Sequence, residues 1–414
     1  MLSEYFEAPE RIRAIRAGPA GESIEAFAER LYFDGYARIT ARRHISAAEH
    51  LVHWARRRGL SVADLNDLRL KQFDEHLGHC RCGRYAAARR GEVLNGARLF
   101  LRHLQGVGVP TVRTIQPTPV EPELLRAFSR WMREHRGTSD LVLYNYSLPL
   151  RALLTEVGED LRKLDAGCLR QFVLAQSQQG QWVARRCRSA LRMFLRFLIA
   201  EGLCRGTLLG AIPVVANWRL ASLPRYLPAA DVERLVGSCD RSTPIGRRDR
   251  AILLLIARLG LRAGDIVQMR LDDIDWKSAW LYVSGKSRQQ TRLPLTQEVG
   301  DAIAAYIQSG RPTVPADALF LRSRAPFRAL GSHCAVSVIV GTAFQRTEIN
   351  RPCRGAAHLL RHSVASSMLR HGASLQEISV LLRHRSVETT QIYAKVDVAG
   401  LRQVAQPWPG VQPC

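Results

Sequence analysis

His358-Leu-Leu-Arg361-His362-Ser363, and downstream of it Leu381-Leu382-Arg383-His384-Arg385-Ser386-Val387-Glu388-Thr389-Thr390-Gln391-Ile392-Tyr393, decide how the chain reads. His358 and Arg361 are three apart on a helix predicted to end at Gly372, so they share a face and can reach one phosphate. His384 precedes a helix cap at Ser386 and could hydrogen-bond a phosphate that is being transferred. Tyr393 follows on a short helix predicted over 387–395. A phenol is a poor nucleophile at its ordinary pKa and needs adjacent cations or a base, which these side chains could supply.

Two stretches further upstream extend the set. Arg262 lies in Gly260-Leu-Arg262-Ala-Gly-Asp265, at the predicted start of a helix whose free N–H groups favour an anion, and Asp265 could hold its guanidinium in place. Lys286, in Gly285-Lys286-Ser287, occupies a basic turn between two predicted strands, 280–284 and 291–295, where a flexible ammonium can reach over a bound backbone. Arg262, Lys286, His358, Arg361, His384 and Tyr393 could together cleave a phosphodiester without metal: cations bind the phosphate oxygens, the phenol attacks, and acid/base groups move protons. Around them the pattern predicts helices over 231–239, 247–259 and 263–269, others after Thr296 and from Gly355, and a capping box at Ser374-Leu-Gln-Glu377.

The whole chain, 414 residues, is too long for one ordinary core, so two or three domains are expected. Its 60 Lys and Arg against 37 Asp and Glu give a formal charge of +23, an excess that points to a polyanionic partner. Nine cysteines, an odd number scattered over a long chain, do not form a secreted disulfide framework. The start Met1-Leu-Ser-Glu-Tyr-Phe-Glu lacks the basic-then-apolar pattern of a signal peptide, and the longest apolar run, 251–257, is far short of a membrane span. A reduced cytoplasmic protein with no membrane partner is expected.

N-terminal to these motifs, two stretches repeat one helical plan. Each opens on an Ala-Phe pair, Ala26-Phe27 and Ala127-Phe128. Each continues through an Asp-Leu…Leu…Phe segment, Asp64 to Phe73 and Asp160 to Phe172. Each closes on a basic helix, Arg98-Leu-Phe-Leu-Arg-His-Leu104 and Arg192-Met-Phe-Leu-Arg-Phe-Leu198, followed by Gly106 and Gly202. Proline-bearing linkers lie at 109–122 and 212–228.

Taken in order, Arg262, Lys286, His358-x-x-Arg361, His384 and Tyr393, with the flanking boxes quoted above, resemble the tyrosine recombinase, or phage integrase, family over about 223–396. That resemblance implies a mainly α fold: tandem helical, SAM-like DNA-binding domains, then an α+β catalytic domain with a small antiparallel sheet. The implied domains are a helical unit at 1–112 of arm-type, extra DNA-binding or oligomerising role, a core-binding unit at 118–206, a linker at 207–228, the catalytic domain at 229–396 and a tail at 397–414. It implies attack by Tyr393 to form a 3′-phosphotyrosyl link, with Arg262 and Arg361 on the non-bridging oxygens. Lys286 would protonate the leaving 5′ oxygen, His358 assist proton transfer, His384 support the phosphate, and Asp265 stand behind them. The implied partners are double-stranded DNA with specific recombination sites and further recombinase subunits, as a dimer on a site and a tetramer in synapsis, or as a hetero-oligomer with sister recombinases of a mobile element. No cofactor is implied. Arg219, Arg225, Arg288 and Arg292 are candidate DNA contacts. One departure stands out: the family's usual glycine or small residue before the later histidine is Arg383.

A nicking-resealing enzyme like a type IB topoisomerase could use the same residues, and a non-catalytic architectural DNA-binding protein could have inherited the fold. The tandem helical modules favour the recombinase over the first, and the intact six-residue set argues against the second. Separately, His76-Leu-Gly-His79-Cys80-Arg-Cys82 is dense enough in ligands to raise zinc. Its spacing matches no standard finger and no second pair follows downstream, so a loop of reduced thiols without metal is expected.

Overall fold

Apolar residues spaced three and four apart give most of the chain an amphipathic helical pattern. The computed structural model describes residues 1–83, 85, 89–107, 121–158, 161–214, 223–284, 290–352, 355–384, 386–396 and 401–402, the side chains of Arg162 and Val387 aside. The linker at 109–120, the linker residues 215–222, and the tail at 397–400 and 403–414 lie outside them. No helix among the described residues is long and apolar enough to cross a membrane.

The first module comprises α1 (Leu2–Tyr5), α2 (Pro9–Arg16), α3 (Gly21–Phe33), α4 (Arg38–Arg57), α5 (Asp67–Leu77) and α6 (Arg90–Gly106). The second comprises α7 (Glu123–Arg136), α8 (Asp140–Val157), α9 (Ala166–Gln178), α10 (Gln181–Ala200) and α11 (Leu208–Ala211). From α3 and from α7 onward they follow one order: helix, long helix, a 3-10 turn, helix, long helix. The turn ends at a polar cap in both, Asn66 accepting from the Arg69 amide at 2.9 Å and Asp165 from that of Cys168 at 2.8 Å. The phenylalanines that marked the repeat are the cores. Phe27 meets Phe100 edge to face at 5.3 Å, and Phe128 meets Phe194 likewise at 5.5 Å.

The remaining elements are α12 (Ala229–Gly237), α13 (Pro244–Leu259), α14 (Ala263–Gln268), β1 (Ile274–Asp275), β2 (Trp280–Ser284), β3 (Gln290–Pro294), α15 (Gln297–Ser309), α16 (His333–Thr347), α17 (Ala356–Arg370) and α18 (Leu375–Leu381). The apolar run 251–257 is the middle of α13, buried on every side and packed against α15 and α17. Thr243 caps α13 by accepting from Gly246 N at 3.0 Å, Pro244 opens it, and Gly260 at φ 58° ends it. The sheet is antiparallel in the order β1-β2-β3, with Leu281 opposite Leu293 and Val283 opposite Thr291. Tyr393 is not on the single helix expected over 387–395. Two 3-10 turns, Val387–Thr389 and Gln391–Val396, take its place.

By proximity the chain divides into two units, 115–219 and the remainder, so the first module groups with the elements from α12 to α18. Within that remainder, the end of α3 fastens to the segment 322–328. Phe327 N donates to Asp34 O at 3.0 Å, and Arg328 pairs with the Asp34 carboxylate at 3.2 Å. A Cβ on Gly35 would fall 2.3 Å from the Phe327 ring, and φ there is 76°, so only glycine fits the turn.

Candidate active site

Arg361 is the hub. It sits on the inward face of α17, 5 % exposed, and donates through Nη1 to the carbonyl of Gly260 and through Nη2 to that of Leu382. The glycine that ends α13 and the residue after α18 thus present carbonyls to one guanidinium. Arg262 leaves the same corner, its Nη2 donating to the carbonyl of Arg383 at 2.8 Å. Burial, then the charges of Arg262 and Arg383, push the Arg361 pKa down to about 9, which still leaves a cation at neutral pH.

The Asp265 carboxylate accepts from the backbone N of Arg262 at 3.0 Å and pairs with the guanidinium of Arg383, so it acts on the Arg262 side chain through its charge rather than through a hydrogen bond. Arg383, at φ 51°, holds the left-handed conformation that glycine adopts without cost, which gives a physical reason for the small residue usual there. Its buried Nε and Nη1 have no hydrogen-bond partner among the described residues.

The two arginines face a cavity of about 980 Å³ whose lining includes Arg262, Asp265, His333, His358, Arg361 and His384. His384 is fixed by Nδ1 against Thr390 Oγ1 at 2.8 Å, and burial followed by the charges of Arg361 and Arg262 pushes its pKa down to about 4. Partial burial, Arg361 and Arg262 hold His358 below the ordinary histidine value.

Tyr393 does not line that cavity. Its ring is 1 % exposed, and its hydroxyl is hydrogen-bonded to Nδ1 of His362, whose Nε2 lies 2.7 Å from Nε2 of His358. Two patterns of protons satisfy both contacts with neutral rings. In one, His362 Nδ1–H donates to the phenol oxygen while His358 Nε2–H donates to His362 Nε2. In the other, the phenol donates to His362 Nδ1 while His362 Nε2–H donates to the lone pair of His358. Only the second readies His362 to take the phenolic proton. Burial raises the phenol to about 12, opposed by Arg361. Burial, then His358, Arg361 and His384, pushes His362 down to about 4. Sequence reasoning assigned His362 nothing, although it stands inside the quoted box one residue past Arg361. Thr390 and His333 were missed as well, and no spacing signal marked them.

Three other expected residues, Lys286, Arg219 and Arg288, lie outside the described residues. Arg225 donates to the carbonyl of Pro352, and Arg292 lies over the Trp280 ring at 4.7 Å. His76, Cys80 and Cys82 do draw together, but His79 does not join them; His50 of α4 does.

The sequence profile of the phage integrase family matches residues 225–399. A Sinorhizobium fredii protein provisionally named integrase/recombinase y4rA is 38% identical over 402 residues, 95% of each chain. Tyrosine recombinase XerC of Rhodospirillum centenum is 30% identical over 305 residues, 69% of this chain and 86% of its own. Among solved structures, XerH recombinase bound to a palindromic difH substrate after cleavage superposes with a TM-score of 0.55 at 17% identity, covering 81% of this chain and 93% of that one. A lambda integrase tetramer bound to a Holliday junction gives 0.51 at 18%, covering 70% and 79%. The structural likeness bears on the fold, and the full-length relative on descent: the chain belongs to the phage integrase family, the tyrosine-type site-specific recombinases.

Proposed function

We propose that Tyr393 cleaves a DNA strand at a specific recombination site and holds it as a 3′-phosphotyrosyl ester. The observation that carries this reading is the convergence of Arg262, Arg361, His358 and His384 on one cavity, with the phenol of Tyr393 joined to it through His362. The Tyr393 oxygen bonds to phosphorus as the bond to the 5′ oxygen breaks. The phenolic proton passes to His362 and on to His358, and the leaving 5′ oxygen takes a proton from Lys286. Arg262 and Arg361 offset the charge that builds on the non-bridging oxygens. A 5′-hydroxyl from a second strand then reverses the step, so the ester conserves the energy of the broken bond.

At rest the phenol is shielded, protonated and turned from the cavity. Duplex binding must therefore bring its oxygen to the phosphate before attack. Partners follow from the reaction: a duplex carrying the recombination site, a dimer on each site and a tetramer in synapsis, acting in the bacterial cytoplasm on a mobile element. Both helical modules, 1–112 and 118–206, grip DNA in this reading.

The test is a nicked suicide duplex carrying the ends of the native element. We expect a trapped covalent adduct mapping to Tyr393, and a Y393F protein that binds the duplex without forming one. An adduct on another residue, or none from the unaltered protein on a duplex it binds, would overturn the assignment.

A further inference from the structure

Within the four helices they share, the two modules differ most where α5 passes to α6. In the second module the matching helices, α9 and α10, are joined by Gln179 and Gly180 alone, whereas the first inserts residues 78–89. Cys80 and Cys82 lie on that insertion, His76 is in the last turn of α5, and His50 projects from the middle of α4, 1 % exposed. One ligand atom from each of the four lies within 4.8 Å of all the others.

Their spacing is that of a tetrahedron. Zinc holds thiolate sulfur at about 2.3 Å and imidazole nitrogen at about 2.0–2.1 Å, so a tetrahedral angle sets the N···S edge at about 3.6 Å. Cys80 Sγ lies 3.4 Å from His50 Nε2, and Cys82 Sγ lies 3.6 Å from His76 Nε2. Cys82 N donates to Cys80 Sγ at 3.4 Å, a contact that favours an anionic sulfur. The His50 ring is locked in place, stacked on Tyr85 at 4.6 Å and edge-on to Phe73 at 5.1 Å.

We propose that His50, His76, Cys80 and Cys82 form a structural zinc site that ties the 78–89 insertion to α4 and α5. Both imidazoles bind through ring lone pairs, and both thiols release their protons to solvent as the Zn–S bonds form. Two thiolates and one dication sum to zero, so the filled site carries no net charge into the module's interior. Sequence spacing hid it because the fourth ligand comes from a helix upstream, across the core, and no motif spans that separation.

Full-length protein, expressed in zinc-supplemented medium and purified without chelator, is expected to hold one zinc per chain by elemental analysis. Cobalt(II) added to the stripped protein should give intense tetrahedral bands with thiolate-to-metal charge transfer, abolished by added zinc. H50N and the pair C80S/C82S should lose the metal, and H79N, altered at an exposed histidine beside the cluster, should keep it. Unaltered protein without stoichiometric zinc and with only the pale octahedral cobalt spectrum overturns the proposal, even if the variants misfold. Zinc retained by both H50N and C80S/C82S overturns it equally.

Discussion

His362 lies between the phenol and the histidine expected to serve it, and in the proposed mechanism that position decides how Tyr393 is activated. With the phenol raised to about 12, essentially none is ionised at neutral pH, so attack needs a base in contact with it. We expect H362N to bind duplex normally and to slow single-turnover cleavage by about 10²–10⁴-fold. Cleavage at the unaltered rate would remove His362 from the proton path. The same burial makes stability sensitive to acid. His362 and His384 bind protons near pH 4 when folded and near the ordinary 6.5 when unfolded. Between those values the unfolded chain binds more protons, so stability rises with pH across that window and is lost as pH falls from about 6.5 toward 4. Melting temperatures recorded over the window should fall with acid, less steeply for H362N; equal slopes would show that His362 stays ionisable in the fold.

The joint between α13, α14 and the end of α18 works as one element, because its backbone carbonyls aim both arginines. Gly260 ends α13 and also offers the carbonyl that holds Arg361. A Cβ there would meet Leu382 Cδ2 at 2.6 Å, in a backbone conformation that already disfavours one. G260A should therefore cost about 1–3 kcal/mol in denaturant titrations, and a displacement near 1 Å at Arg361 should slow cleavage by about 10²-fold. At Arg383 two effects oppose. Glycine would relieve about 1–2 kcal/mol of left-handed strain, but would break a buried pair with Asp265 that costs about 3–5 kcal/mol to break. R383G should thus lose roughly 2 kcal/mol, and a gain in stability would show that the strain dominates. Helical spacing put His358 and Arg361 on one face because it is local, whereas Arg262 and His384 joined them through the order of the motifs and the family resemblance. Sequence could not assign Asp265 to Arg383, since that pairing arises where α18 returns to α14. Nor could it see that Tyr393 would lie on 3-10 turns against His362, which follows from how the last turns fold back on α17.

Across the whole molecule the formal charge of +23 ties affinity to salt. If six to ten phosphates are neutralised, affinity for the recombination site should fall by about 10³–10⁵ between 50 and 200 mM salt, and a flat dependence would contradict a backbone-dominated grip. The repeat of helical modules was legible from Phe27, Phe73 and Phe100 against Phe128, Phe172 and Phe194, because aromatic cores set the period. The attachment of the first module to the segment 322–328 was not, because Asp34 and Arg328 carry no local signal of their meeting. The turn at Asp34 and Gly35 is pinned to Phe327 and Arg328, so if the first module grasps DNA as proposed, that duplex is held at a set rotational phase to the bond Tyr393 would sever. Half a helical turn of added spacer would swing the two footholds to opposite sides of the double helix, and a full turn would bring them back into line.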